Sequence, residues 1–355
     1  MNNDYIACVA SKSGGHIIPC LSYAKKNYGD KKILFFSNLL DIDKEILSNY
    51  NIDRIVKLFY ISLSFSKNSF NKNDIYFLYI NRLFYILLHI IKFSFSSIFN
   101  ILLILIFLIR YKPTKVIHTG GIIAISVCIV AKFLKIEICT YELNAVFGKA
   151  NRFLSKISDN IYVCFQSAKK DIGSISNNVI ITDYPIRFDQ SDIKNRLDAL
   201  KYLSLNQDKK TIFILGGSQG SSNINNIMKD VISSYGNYFK NFNILHQTGS
   251  LQKDEIEKFY RSFLGDNFVV FNYRHDLNYF YCAADLIISR AGAGSIFEAI
   301  FFNKKSILIP LSLYDNHQII NAQNISKEYP HLFQYFIEKD LTKRNLYSLI
   351  LCQLS

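Results

Sequence analysis

The chain has 355 residues, half of them hydrophobic and 19% charged, with a formal net charge of +13. That balance excludes a disordered chain and leaves length for two domains, each with its own core. The positive charge points to an anionic partner: nucleic acid, an acidic membrane surface or a phosphorylated substrate. Dispersed lysines, with no dense basic stripe and no aromatic platforms, argue against nucleic acid.

Tyr5 to Ala10 reads as a strand, followed by Ser11-Lys12-Ser13-Gly14-Gly15-His16 and a helix with Pro19 in its first turn. The N-terminus carries no charged stretch leading into a long apolar one, so no secretory signal is read and a cytoplasmic location is expected. Ile33 to Phe36 is a second strand. Ile75 to Ile109 then breaks the pattern, being long, apolar and aromatic, with Lys92, Arg110, Lys112 and Lys115 at its flanks. Its most apolar part is at the short limit for crossing a bilayer and lies inside a series of strands that must stay on one side. The expectation is a helix lying on anionic headgroups, with a buried core helix and a true span as alternatives.

Val116 to His118 leads into Thr119-Gly120-Gly121 and another helix, and strands follow at Ile136 to Thr140 and Ile161 to Phe165. This alternation is that of a parallel, doubly wound sheet. After Asp183-Tyr184-Pro185 a polar segment intervenes and the rhythm restarts with Thr211 to Leu215, so a domain boundary is placed near Pro185, giving 1–185 and 186–355. Gly216-Gly217-Ser218-Gln219-Gly220-Ser221 follows, then a helix through Asn223 to Ser234 and strands at Phe242 to His246 and Phe268 to Phe271. Leu286 to Ser289 is a strand ending at Arg290-Ala291-Gly292-Ala293-Gly294, with a helix, a strand and a polar loop carrying Asp315, His317, Gln318 and Asn321 beyond it. Glycine turns at the ends of parallel strands aim helix N-terminal N–H groups at anions, and two such halves are expected to enclose a ligand cleft.

Each singled-out residue has two readings. The turn at Gly216 is a phosphate cradle assisted by Ser218, or a tight turn only; it is neither G-x-G-x-x-G nor a P-loop. Ser295 and Glu298 form a capping box, or Glu298 accepts from ribose hydroxyls. Arg187 and Arg290 neutralise phosphate, or pair with carboxylates. Gln318 and Asn321 share a helix face with amides suited to sugar hydroxyls. His16, after two glycines at a strand end, is a general base or a structural histidine. The seven cysteines have no C-x-x-C spacing and no cluster with histidine, so reduced thiols are expected and a metal site is not.

Taken together these motifs resemble the MurG family of bacterial N-acetylglucosamine transferases, in glycosyltransferase family 28. The resemblance rests on Ser13-Gly14-Gly15-His16, Thr119-Gly120-Gly121, Tyr141-Glu142-Leu143-Asn144, Tyr184-Pro185-Ile186-Arg187, Gly216 to Gly220, His246 to Gly249, Arg290 through Glu298 and Asp315 to Gln318 with Asn321. It departs from the family at Ser11 and Lys12, which replace glycines, at Leu143 for Gln, at Tyr184 for Asn and at Gly294 for Leu. The C-terminal helix is also short.

The resemblance implies an α/β GT-B fold, two Rossmann-like parallel-sheet domains facing a central cleft, and an inverting transfer with no cofactor and no metal. It implies UDP-N-acetylglucosamine as donor, undecaprenyl-linked muramoyl-pentapeptide as acceptor, and peripheral attachment to the cytoplasmic face of the bacterial cell membrane. His16 becomes the base, with Ser13, Gly14, Gly15 and Asn144 at the acceptor. Arg187 and Ser218 fall near phosphate or uridine, the backbone at Arg274 at uracil, Ala293, Gly294, Ser295, Ile296, Phe297 and Glu298 at phosphate and ribose, and Gln318 at the sugar. Alternatives are a sister enzyme with another lipid-linked acceptor, a non-catalytic nucleotide-sugar binder, and a sugar-nucleotide 2-epimerase of related fold.

Overall fold

The structure, a computed structural model, describes residues 4–10, 14–38, 47, 50, 52–58, 96–172, 178–217, 220–311 and 316–354. The chain divides into two compact units. The first comprises Met1–Tyr141, Gly148–Tyr162 and Ser174–Ile180; the second comprises Glu142–Phe147, Val163–Gly173 and Ile181–Ser355.

The first sheet is built from β1 (Tyr5–Val9), β2 (Lys32–Ser37), β3 (Arg54–Lys57), β4 (Lys115–His118), β5 (Glu137–Glu142), β6 (Asn160–Val163) and β7 (Val179–Ile181), in the order β3-β2-β1-β4-β5-β6-β7. The β1–β2, β1–β4, β2–β3 and β4–β5 pairings are parallel. Ile6 to Val9 are fully buried, as an apolar run covered on both faces of a parallel sheet must be. Between the strands lie α1 (Gly14–Asn27), a helix over 96–111 that we label α2, α3 (Ile122–Phe133), α4 (Lys149–Leu154) and α5 (Gln166–Ile172). In α2 the residues Asn100, Ile104 and Leu108, four apart, are buried, whereas Ile98, Phe99, Leu102, Ile106 and Ile109 are 51–59% exposed. One stripe of α2 therefore packs on the core, flanked by the partly buried Leu103, Leu105 and Phe107, while the five exposed side chains meet solvent. Residues 75–95 of the apolar segment, Lys92 included, lie outside the described residues. Among the described residues no helix is long and apolar enough to cross a membrane.

The second sheet contains β8 (Lys210–Leu215), β9 (Phe242–Gln247), β10 (Phe268–Phe271), β11 (Leu286–Ser289), β12 (Ser306–Leu308) and β13 (Phe333–Tyr335), in the order β10-β9-β8-β11-β12-β13. Its helices are α6 (Arg196–Tyr202), α7 (Ser222–Phe239), α8 (Lys253–Leu264), α9 (Leu277–Ala283), α10 (Ala293–Phe301), α11 (His317–Glu328) and α12 (Lys343–Leu354). Helix α7 runs past the expected end at Ser234, with non-helical torsions at Tyr235 and Phe239 still buried in the core beyond it. The short α12 is part of this unit's core: Leu346, Ile350 and Leu354 join Ile212, Ile214 and Met228, and Tyr347 stacks on Tyr235 at 3.8 Å.

In each sheet the winding reverses beside the first strand of the unit, between β1 and β4 and again between β8 and β11. The carboxyl ends at such a reversal diverge and leave a crevice, which is where doubly wound sheets bind ligands. The turns after β1, β4, β8 and β11 are the four glycine turns read from the sequence.

Candidate active site

In the first unit, Gly14 and Gly15 open α1, three residues earlier than the sequence suggested, and place His16 in its first turn. His16 Nδ1 lies 3.1 Å from the Thr119 carbonyl, and the Thr119 hydroxyl donates to the His16 carbonyl at 3.1 Å. A carbonyl only accepts, so Nδ1 carries the proton of the neutral ring and Nε2 keeps the lone pair a base needs. The turn after β4 has to be glycine: Gly120 has φ +100°, and a Cβ there would lie 2.8 Å from Asn151 Oδ1. Ser13 is outside the described residues.

In the second unit the turn after β8 is shaped by packing as well. Gly220 has φ +77°, and a Cβ would collide with the Thr248 carbonyl. Ser221 caps α7 and also accepts from Arg290 Nη2 at 2.7 Å. Arg290, at the end of β11, donates to the Ile309 carbonyl at 3.2 Å and pairs with Glu338 at 2.6 Å. Of its two readings, the structure shows the carboxylate pairing, and the guanidinium ties the two turns of this crevice together. Ser218 and Asp315 lie outside the described residues.

Glu298 is not a capping residue. Helix α10 begins after Gly292, which offers no side-chain cap, so Ser295 and Glu298 sit a turn too far along for the capping box. The carboxylate is buried instead in a side-chain network. Arg187 Nη2 donates to Glu298 Oε2 at 3.3 Å, Arg187 Nε lies 3.0 Å from Oε1 but out of line for a hydrogen bond, and Tyr281 donates its hydroxyl to Oε2 at 2.8 Å. Burial disfavours the Arg187 cation, but the attraction of Glu298 more than offsets it, so Arg187 holds its proton more tightly than usual. Sequence reasoning missed Tyr281, because nothing in its apolar surroundings sets it apart from a core aromatic. Two departures from the family pattern also meet here: Tyr184 stacks on Phe297 at 4.8 Å, and its hydroxyl lies 3.4 Å from where a Cβ of residue 294 would stand. That is an ordinary van der Waals distance, so a Cβ alone would fit at residue 294. Ala293 and Ile296 are buried in the same first turns, with Ser295 half-buried.

Gln318 accepts from the Leu311 amide at 3.0 Å, which ties the first turn of α11 to Leu311, beyond the end of β12. Asn321 is fully buried and takes the Ala145 amide while donating to Asn144 Oδ1 and the Ala291 carbonyl. Asn144 belongs to the second unit and also donates to Glu142 at 3.2 Å. The Arg274 side chain folds onto Asp276, which accepts from Tyr202 as well.

Two buried histidines give a pH prediction. His118 is fully enclosed, and so is His246, which contacts Tyr260 at 2.7 Å and Asn225 at 3.1 Å. Burial pushes both imidazoles from 6.5 down to about 3. Between those values the unfolded chain binds protons that the native state refuses, so stability is complete above the upper value and falls as pH drops toward the lower one. The urea midpoint should decline from neutral pH to about pH 4, less steeply in His246→Gln; a midpoint level across that window would contradict the two neutral rings.

Comparison with known proteins follows the same division. The N-terminal domain of glycosyltransferase family 28 matches residues 6–163 and its C-terminal domain matches 211–351. The UDP-N-acetylglucosamine–N-acetylmuramyl-(pentapeptide) pyrophosphoryl-undecaprenol N-acetylglucosamine transferase of Finegoldia magna is 30% identical over 345 residues, covering 95% of this chain and 86% of the relative. Other relatives with that name align over 239 residues, 67% of this chain and 64% of their own length. Among solved structures, Acinetobacter baumannii MurG superposes with a TM-score of 0.65 at 22% identity, over 99% of this chain and 90% of that one. A Listeria monocytogenes protein described as a UDP-N-acetylglucosamine 2-epimerase reaches 0.64 at 11% identity, over 100% of this chain and 88% of that one. These neighbours establish the GT-B fold, which both activities share, and it is the sequence match in both halves that decides between them: the chain belongs to glycosyltransferase family 28, in its MurG group.

Proposed function

We propose that this protein transfers N-acetylglucosamine from UDP-N-acetylglucosamine to undecaprenyl-diphosphate-linked N-acetylmuramoyl-pentapeptide, the lipid I to lipid II step of peptidoglycan synthesis, with inversion at the anomeric carbon. The observation that carries the proposal is the match to a relative of that name along 86% of its length. In this reading residues 1–185 serve the acceptor and the membrane, and 186–355 the donor. The muramoyl 4-hydroxyl gives its proton to His16 Nε2 as its oxygen bonds to the anomeric carbon, while the bond from that carbon to the diphosphate breaks and UDP departs. The N–H groups at the start of α10 take up leaving-group charge, so the reading needs no metal cofactor. Gly14 and Gly15, with Ser13, serve the acceptor diphosphate. Ser218, Ala293 to Glu298 and Gln318 serve the donor, with Arg187 orienting Glu298 and the Arg274 backbone at uracil. Asn144 serves the acceptor, its amide oriented by Asn321 and Glu142.

The exposed apolar face of α2, with Arg110 and Lys112 at its C-terminal end, suits peripheral attachment to anionic headgroups at the cytoplasmic face of the membrane. A lipid-linked acceptor gives that face its purpose. The decisive experiment incubates the purified protein with UDP-N-acetylglucosamine labelled in the sugar and a synthetic lipid-linked muramoyl-pentapeptide in detergent. Label should pass to the lipid. If UDP binds and no label moves, the acceptor is wrong; conversion of the donor to its 2-epimer would point to the other activity of this fold.

A further inference from the structure

The turn that carries the Thr119 carbonyl is held from its other side by a residue no comparison assigns. His118 ends β4 with 0% of its surface exposed. Its Nδ1 accepts the Gly120 amide N–H at 3.2 Å, and its Nε2 lies 2.8 Å from Thr140 Oγ1 on the neighbouring strand β5. Thr140 Oγ1 in turn lies 2.5 Å from Ser158 Oγ, which donates to the Leu154 carbonyl at 2.8 Å. Only one arrangement of protons satisfies this chain. Nδ1 of His118 must be bare to accept, so Nε2–H donates to Thr140, Thr140 donates to Ser158, and Ser158 donates to Leu154. The Gly120 N–H and the Thr119 C=O are the two ends of one planar peptide group. His118 therefore grips one end of the peptide whose other end receives the His16 Nδ1 proton.

We propose that His118 is a positioning residue for His16: it fixes the Thr119–Gly120 peptide in the orientation whose carbonyl holds His16 as the Nδ1-protonated tautomer. Gly120 brings no side chain to hold this peptide, so its orientation depends on the hydrogen bonds at its two ends. Rotation would lose both hydrogen bonds and let the His16 proton settle on Nε2, the nitrogen that must be bare. The alternative is a core histidine satisfied by its strand neighbour with no effect on His16. The inference rests on His16 being the base, and the test separates the two.

The test is nitrogen-15 NMR of the full-length protein labelled in its imidazoles, near neutral pH, together with steady-state kinetics. In the wild type, His118 should be the neutral Nε2–H form and His16 the neutral Nδ1–H form; His118 found as Nδ1–H or as imidazolium overturns the proposal without any variant. In His118→Leu, His16 should shift toward Nε2–H and kcat should fall on the order of 10-fold, with KM for UDP-N-acetylglucosamine unchanged. His118→Asn, whose Oδ1 reaches the Gly120 amide as Nδ1 does, should restore both. A folded His118→Leu with unaltered His16 tautomer and kcat also overturns the proposal. If His16→Ala keeps full turnover, the base assignment fails while the tautomer result stands.

Discussion

His16→Ala should lower turnover by about 10²–10⁴-fold, the range by which a positioned general base accelerates proton removal, while leaving UDP affinity as it is in the wild type. A sugar hydroxyl is too weak an acid to be ionised at neutral pH, so its attack on the anomeric carbon depends on a group that takes the proton as the bond forms. His16 meets the requirement through its tautomer: the Thr119 carbonyl at 3.1 Å occupies Nδ1, which leaves the lone pair on Nε2. Donor affinity should not change, because the residues that serve UDP in this reading belong to the second unit and His16 to the first. Steady-state kinetics and calorimetric UDP titration of the same preparation are the measurements, and wild-type turnover in the variant would exclude His16 as the base.

Arg187→Met should destabilise the protein by about 3–5 kcal/mol, because it strands a buried carboxylate without its counter-charge. The side chains of Arg187 and Glu298 are only 16% and 10% exposed, so water cannot take over from the lost partner. Tyr281 retains one hydrogen bond to Glu298 Oε2, which is too little to solvate a full charge. Glu298→Gln should cost less by itself, since the amide oxygen still accepts from Tyr281, and it should weaken UDP binding if the carboxylate also receives ribose hydroxyls. The double variant Arg187→Met/Glu298→Gln should recover much of the loss, because neither charge remains to be left alone. Urea unfolding of all three variants measures this; strictly additive losses would mean that the pair does not act as a unit.

The strands that sequence reading missed are instructive. β3, β7 and β13 are three or four residues long, and each lies at an edge of its sheet. An edge strand has one hydrogen-bonded neighbour and one open side, so its residues need not be uniformly apolar: in β3 only Val56 is buried. The central strands were legible because both faces are covered, which demands the unbroken apolar runs Ile6 to Val9 and Leu286 to Ser289. The glycine turns after β4 and β8 were legible because positive φ at Gly120, Gly217 and Gly220 excludes most other residues. The capping-box reading of Ser295 and Glu298 failed because the pattern matches at any phase, and the helix starts at Ala293.

By itself the sequence determined the order of the central strands, the four glycine turns that end β1, β4, β8 and β11, and the membership of the family, since each is a property of local spacing and residue type. Which side chains answer one another was decided only by the tertiary structure. Arg187 and Glu298 are 111 residues apart, and His16 and Thr119 are 103 apart. No periodicity links such distant positions: His16 and Thr119 meet because the reversed winding of the first sheet sets the carboxyl ends of β1 and β4 side by side, and Arg187 and Glu298 because the segment after β7 packs against α10. The protonation of His118 and His246 was likewise hidden, because an imidazole reads the same in sequence whether it is solvated or enclosed, and only burial makes it refuse a proton.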